Sequence, residues 1–515
     1  MRKQRLSTRI GAIMVAMTLA VGTFAMSGLS VFAAPPSSEG VKSITIHKYV
    51  MEDIRGATIP GSGSAEDVAN VPADARPLAN VGFKIYKVSP DENDLYPEGK
   101  NFTLHKDADG TVDGITENGK LYSAVQEKEE LFTDEQGIAK MSELVTGVYL
   151  IVEQDSVDPV TGKLLNVVKA APFLVNAPMT SPDGTNTIND IHVFPKNQAT
   201  APTKTPVGGS SVAVGEIKTW KIKMNVPAGM AASQALVITD KLDEALTYQD
   251  NSIKLYGKKG DEARQLIPDA LTAALVAETN TVTFTVNPDK FAAIAGYTSI
   301  ELEFNTVINN KILDKATVEN NADITFTDQS GITHQFTTPT PGTIHTGTIL
   351  IKKVDQAGTP LDGAIFHLAS SKEKAQDGNY LKLAADGALL DTTSPGYAEA
   401  AAWEGTPVAG QQGQVKFSGI KDLNEHDEVN SYWLVETKSP DGYNKLSGPI
   451  EVTFDKAQAT SANNYTMEKT VENSKGLILP ATGGMGTMLF TIGGIIIIGM
   501  AGAMLVLSKK KNTSC

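Results

Sequence analysis

Lysines that share a strand face with isoleucines are the most reactive prospect in this 515-residue chain. In Ile44-Thr45-Ile46-His47-Lys48, and again in Ile349-Leu350-Ile351-Lys352-Lys353, alternation with a period of two puts Lys48 and Lys353 on the isoleucine side. Lys352 has the opposite parity. A lysine in an apolar interior is costly as a cation. Desolvation lowers its pKa and raises that of a buried carboxyl beside it, which leaves a neutral amine next to a protonated acid. With an asparagine carboxamide against both, the amine can attack the amide carbon while the acid polarises the oxygen and relays protons. Ammonia leaves and an amide joins two strands. The reaction turns over once, inside the protein. An ordinary buried ion pair is the competing reading of the same residues.

The elements around these lysines repeat. Each lysine strand is followed by a similar segment, Pro77-Leu78-Ala79-Asn80-Val81-Gly82-Phe83 in one case and Pro360-Leu361-Asp362-Gly363-Ala364-Ile365-Phe366 in the other. Each then has an apolar strand closed by an acid, Tyr149-Leu150-Ile151-Val152-Glu153 and Tyr432-Trp433-Leu434-Val435-Glu436. Two related β-sandwich domains follow from this, at 34–200 and 346–475, with a longer β-rich domain at 201–345 between them. Thr338-Pro339-Thr340-Pro341-Gly342 marks the downstream edge of the middle domain, because successive X-Pro units favour extended chain. Few helices are expected; Asp269 to Val276 is the candidate for a short one. In the middle domain Asn320 shares parity with Ala322, Ile324 and Phe326, whereas Asn321, the competing choice, points the other way.

Composition narrows the function. The formal charge is −14, and both ends that processing would remove are basic, so the mature chain is more acidic still. That excludes nucleic acid as a partner, since affinity for phosphates comes from Lys and Arg, and it suits a soluble surface protein. The one cysteine is Cys515, so the processed chain forms no disulfide and any covalent staple must come from other chemistry. There is no HExxH, GxSxG or Walker sequence, and the seven histidines are scattered. Neither a cofactor nor a metal is implied, and no enzyme acting on an external substrate is expected.

The two ends specify a destination. Leu479-Pro480-Ala481-Thr482-Gly483 is followed by 23 residues without a charge, Met485 to Leu507, and then by Lys509, Lys510 and Lys511. A run of that length can cross a hydrocarbon core of roughly 30 Å as a helix, with the lysines held on the cytoplasmic side. An ordinary tail anchor would look similar without the pentapeptide. The order of pentapeptide, span and basic stop over 476–515 resembles the cell-wall sorting signal of Gram-positive surface proteins, which a sortase cuts between Thr and Gly. At the other end Arg2, Lys3, Arg5 and Arg9 precede an apolar stretch from about Ile10 to Met26. Val31-Phe32-Ala33 then offers small residues for a signal peptidase, so residues 1–33 read as a cleaved signal peptide.

The segment from Tyr432 to Tyr443, YWLVETKSPDGY, resembles the E-box of Gram-positive pilins and of collagen-adhesin B-type domains, departing from it at Ser439, where Ala is usual. The resemblance implies tandem immunoglobulin-like β-sandwiches, all-β apart from the terminal helix. It assigns Glu436 as acid, Lys353 as nucleophile and Asn473 as acceptor in the third domain. Val212-Ala213-Val214-Gly215 resembles the opening of collagen-adhesin A-type domains. That likeness assigns Lys204, Asp240 in Ile238-Thr239-Asp240-Lys241-Leu242, and Asn320 to the middle domain. In the first domain the matching trio is Lys48, Glu153 and Asn197, for which a plain Lys48–Glu153 ion pair is an equal alternative.

Ile191-His192-Val193-Phe194-Pro195-Lys196-Asn197 closes the first domain. It resembles the pilin motif of sortase-assembled pili, with Phe194 for the usual Tyr and Thr187 where a Trp is common. Pro195 stiffens the backbone, and Lys196 is expected to project, exposed, from a linker. A sortase thioester at Thr482 of one subunit could be attacked by Lys196 of the next. The chain as a whole resembles the major (backbone) pilins of Gram-positive sortase-assembled pili. That implies a wall-anchored cell-surface pilus, with pilus-specific and housekeeping sortases, further copies of the chain, minor tip and base pilins and peptidoglycan as partners. A monomeric wall-anchored adhesin binding a host extracellular ligand is the alternative, and the Lys196 segment is what separates the two.

Overall fold

The computed structural model describes residues 40–56, 61–315, 317–422, 431–476 and 494–504. The signal peptide and the LPATG pentapeptide lie outside the described residues, as does most of the apolar terminal run. Residues 494–504 are helical, and no helix among the described residues is long and apolar enough to cross a membrane.

The described chain is mostly β. In the first part, strand Lys42–His47 lies between Asp190–Val193, which runs parallel to it, and Ile138–Leu144, which runs antiparallel. This sheet faces a second one ordered Phe173–Ala177, Gly147–Glu153, Gly82–Val88, Lys120–Gln126, Val112–Glu117 and Thr103–Lys106. Every residue of Gly147–Glu153 is buried, because both of its faces are covered. Tyr149 and Ile151 join the core between the sheets, and Val148, Leu150 and Val152 join a second cluster with Tyr86, Val88 and Ile115.

The middle part is a two-sheet sandwich. Ile217–Asn225 alternates strictly between solvent and core, sending Trp220, Ile222 and Met224 inward as its period of two requires. Leu271–Val276 corrects the expected helix: it is an edge strand, paired along its length with Thr281–Val286. The leucine and alanines favour a helix, but the adjacent TVTFTV strand supplies a full set of backbone partners across the turn at Asn280, so tertiary pairing overrides propensity.

The third part repeats the first. Strand Gly347–Asp355 lies between Thr466–Asn473, parallel, and Gln414–Ile420, antiparallel. The likeness extends to single bonds. The Lys48 N–H donates to the Gly137 carbonyl at 2.7 Å, and the Lys353 N–H to the Gly413 carbonyl at 2.7 Å. The carbonyls of the same lysines accept from Leu78 and Leu361, each at 2.9 Å. Gly137 and Gly413 have φ of +74° and +66°, and a Cβ at either would stand 2.5 Å from that lysine carbonyl oxygen. Only glycine fits such a crossing.

The three parts meet through specific contacts. Gln198 of the first part donates to the Val226 carbonyl at 2.9 Å. At the other junction the Val214 N–H donates to the Gly419 carbonyl, and the Leu389 N–H to that of Val214. His345 there stacks on Tyr465 and lies 3.2 Å from both carboxylate oxygens of Asp422.

Candidate crosslinking sites

In the first part the strand ends and the sheet pairing bring all three expected residues together. Lys48 follows Lys42–His47, Glu153 ends Gly147–Glu153, and Asn197 lies on Lys196–Ala199, opposite Val50. All three are buried. Lys48 Nζ donates to Glu153 Oε2 at 2.7 Å and also to Asn197 Oδ1, and Asn197 Nδ2 donates to Glu153 Oε1 at 2.5 Å. Burial pulls the Lys48 amine below the usual lysine range, against the opposing pull of Glu153. One expectation changes here. The carboxyl faces the two nitrogens rather than the amide oxygen, an arrangement suited to relaying a proton between them and not to polarising the oxygen.

In the middle part Lys204 donates to Asp240 Oδ2, and to the Asn321 carbonyl at 2.9 Å. Both ionisable side chains are fully buried. Burial brings the Lys204 amine down to about 8 and pushes the Asp240 carboxyl up, both shifts in the direction of a neutral pairing. The Lys204 amine lies 5.5 Å from the centre of the Trp220 ring and 5.4 Å from that of Phe304. Asn320 is buried, and among the described residues neither its amide oxygen nor its amide nitrogen has a hydrogen-bond partner; Asp240 Oδ1 also lacks one there. A buried amide left in that state is costly. Loss of its NH2 as ammonia would remove the unsatisfied donor. Asn321 is exposed, its Oδ1 accepting from Thr338 at 3.4 Å, so the geometry favours Asn320.

In the third part Asn473 Nδ2 donates to both oxygens of Glu436, at 2.9 and 3.1 Å, and Asn473 Oδ1 has no partner. Lys353 is buried, with its pKa lowered by burial, and its amine donates to the Val471 carbonyl at 3.1 Å. Glu436 and Asn473 are in contact; Lys353 lies on the paired strand, opposite Val471, two residues from Asn473. Lys352 takes the outer face and pairs with Glu468 at 2.6 Å.

Lys196 differs from its expected setting. It begins strand Lys196–Ala199, opposite Tyr49, and is half-buried rather than exposed on a linker. The preceding Phe194 is buried and stacks on His47 at 4.7 Å, which draws the segment onto the sheet. Burial brings the Lys196 amine down to about 8, and a charge on Lys48, for as long as that amine is free, lowers it in the same direction. At pH 7 roughly a tenth of such amines are unprotonated, against a few in ten thousand at the ordinary lysine value. The Lys196 amine makes no hydrogen bond or ion pair among the described residues.

Sequence reasoning did not single out several neighbours of these trios: Trp220 and Phe304 beside Lys204, and Gly137 and Gly413 against the Lys48 and Lys353 backbones. The loop near Ala170, whose N–H reaches the first trio, carries no pattern at all.

With this geometry in place the chain can be set beside known proteins. Residues 39–198 match the family model for the Gram-positive pilin subunit D1, N-terminal domain, and residues 347–469 match that for a prealbumin-like fold domain. The chain is 26% identical over 557 aligned positions to the fimbrial subunit type 1 of Actinomyces viscosus, covering 98% of each. Among solved structures it resembles the full-length major pilin SpaD from Corynebacterium diphtheriae, with a TM-score of 0.56 at 21% identity, over 86% of this chain and 100% of the other. That likeness is one of fold: several β-sandwich domains in series.

Proposed function

From the premise that this chain is a Gram-positive major pilin, homologous to fimbrial subunits along nearly its whole length, we propose that it is the shaft subunit of a covalent cell-surface pilus. It is a structural protein and not an enzyme. A pilus-specific sortase cleaves after Thr482 and holds the new carboxyl end as a thioester. The Lys196 amine of another copy attacks that thioester, so subunits join head to tail by an amide from Thr482 to Lys196. Transfer to peptidoglycan by a housekeeping sortase anchors the finished fibre, and minor pilins occupy its tip and base. Within each subunit Lys353–Asn473, Lys204–Asn320 and Lys48–Asn197 amides staple strands distant in sequence, with Glu436, Asp240 and Glu153 as their acids.

The observation that carries this reading is Lys196. A half-buried amine without a partner, its pKa brought down to about 8, is a stability cost in a purely structural lysine and an advantage in a nucleophile. The test is a denaturing gel of boiled wall extract. Wild type gives a ladder, and Lys196→Arg gives a single anchored band, because a guanidinium stays protonated and cannot attack a thioester. A single band for wild type would favour the monomeric adhesin, and a ladder surviving in Lys196→Arg would move the acceptor to another lysine.

A further inference from the structure

The first trio has a feature the other two lack. The backbone N–H of Ala170 donates to Asn197 Oδ1 at 2.9 Å and to Glu153 Oε2 at 3.0 Å. Asn320 Oδ1 and Asn473 Oδ1 have no hydrogen-bond donor among the described residues. A donor aimed at the amide oxygen is placed where negative charge develops when an amine adds to the carbonyl.

Ala170 is held there partly from outside its own domain. Asn166 exchanges two hydrogen bonds with the backbone of Thr337 in the middle domain: its Nδ2 donates to the carbonyl and its Oδ1 accepts from the N–H, each at 3.0 Å. The Lys169 N–H, one residue before Ala170, donates to His334 Nδ1 at 3.3 Å. Since Nδ1 accepts, the proton of the neutral ring is on Nε2, which faces Asp328 Oδ2 at 3.3 Å. Lys163 adds a bond to the Pro339 carbonyl at 3.2 Å. Within the first domain, the stretch is flanked by strands Val167–Val168 and Phe173–Ala177, and Lys169 Nζ pairs with Asp155 at 2.5 Å.

We infer that the Ala170 N–H is the oxyanion donor for the Lys48–Asn197 bond, and that the middle domain, through His334 and Thr337, positions it, so that the first domain crosslinks at full rate only when docked on its neighbour. The inference rests on the proposed crosslinking role of the first trio. The neutral Lys48 amine adds to the Asn197 side-chain carbon, and the carbonyl π pair moves to Oδ1 under the Ala170 N–H. Glu153 gives the proton on Oε1 to Nδ2 and takes one from Nζ on Oε2. The bond from carbon to Nδ2 then breaks, the electron pair on Oδ1 re-forms the carbonyl, ammonia leaves, and Glu153 ends with one proton as it began. Ala170 acts on the reacting atoms; His334 is a positioning residue.

The bond is irreversible, so its rate must be followed on newly made chain. Full-length protein is synthesised in a cell-free system and quenched in denaturant at intervals. Branched peptides from the Lys48–Asn197 and Lys353–Asn473 bonds are then quantified by mass spectrometry, the second serving as an internal clock for folding. Ala170→Pro removes the donor and is expected to slow the first bond on the order of a hundred-fold, leaving the second unchanged. His334→Leu, which removes the acceptor for Lys169, is expected to slow the first bond at least ten-fold, and His334→Asn, which keeps an acceptor near the Nδ1 position, to restore most of the rate. Should Ala170→Pro fail to fold, the two His334 variants decide. Wild-type rates in Ala170→Pro, or equal rates in His334→Leu and His334→Asn, would overturn the inference while leaving the crosslink standing. Absence of the Lys48–Asn197 peptide from wild type would overturn both.

Discussion

At the scale of single residues, a buried amine, a carboxyl and a carboxamide recur three times; resemblance to known domain types made them legible, and parity along a strand chose between neighbouring residues. Lys353 and Asn320 were separable from Lys352 and Asn321 because one member of each pair must face the core, and Lys352 indeed takes the outer face with Glu468. What parity cannot encode is which atom of the amide the acid meets, because that depends on a rotamer set by distant neighbours. It equally cannot encode the half-burial of Lys196, which follows from Phe194 packing on His47. In the third domain Glu436 meets the Asn473 amide nitrogen at 2.9 and 3.1 Å and the Leu446 N–H at 2.8 Å, so it is expected to be indispensable to leaving-group protonation. Intact mass of the wild-type chain should fall short by one ammonia for each bond formed. Glu436→Ala should regain the mass of one, and an unchanged mass would remove Glu436 from the chemistry.

At the scale of elements, the proposed bonds of the first and third domains join the opening strands to the closing one, whereas in the middle domain Asn320 lies on Val318–Asn320, ahead of three further strands. In the third domain the opening and closing strands are hydrogen-bonded neighbours running parallel, in register from Thr348 opposite Thr466 to Asp355 opposite Asn473. A loop near 100 residues closed this way restricts the unfolded chain by roughly 4.7 kcal/mol on the disulfide entropy model. Asn320→Ala removes the middle-domain acceptor and keeps the Lys204–Asp240 pair, so it isolates the crosslink. It should lower the melting temperature of that domain by roughly 10 °C, and Asn321→Ala should not; calorimetry separates them. The repeat also fixes a backbone requirement. With φ of +66° and backbone atoms 2.5 and 2.9 Å from any Cβ, Gly413→Val should cost about 1–3 kcal/mol in denaturant titration. Tolerance of valine would mean that the crossing at Lys353 is looser than drawn. The repeat was visible because its strands are long and regularly patterned. The short strand Leu271–Val276 was not, because an alanine-rich edge strand owes its state to its partner and not to its own sequence.

At the scale of the whole molecule, the order of parts was readable in the sequence, since charge runs, apolar runs and strand repeats are each local signals. The joints between the parts were not. Asn166 on Thr337, Lys169 on His334 and Asp422 on His345 pair residues far apart in the chain, and no period links them. Those joints tie each sandwich to its neighbour, with Lys196 at the close of the first domain and Thr482 beyond the last in sequence. In the proposed pilus, tension entering at Lys196 reaches Asn197 one residue later and crosses to Lys48, so the joining bond and the first internal bond lie in series. The most direct measurement is tandem mass spectrometry of protease digests from the purified high-mass ladder. The account predicts one dominant intermolecular branched peptide, with the Thr482 carbonyl carbon bonded to the Lys196 Nζ. A branch from Thr482 to a different lysine, or a ladder without such a branch, would contradict it.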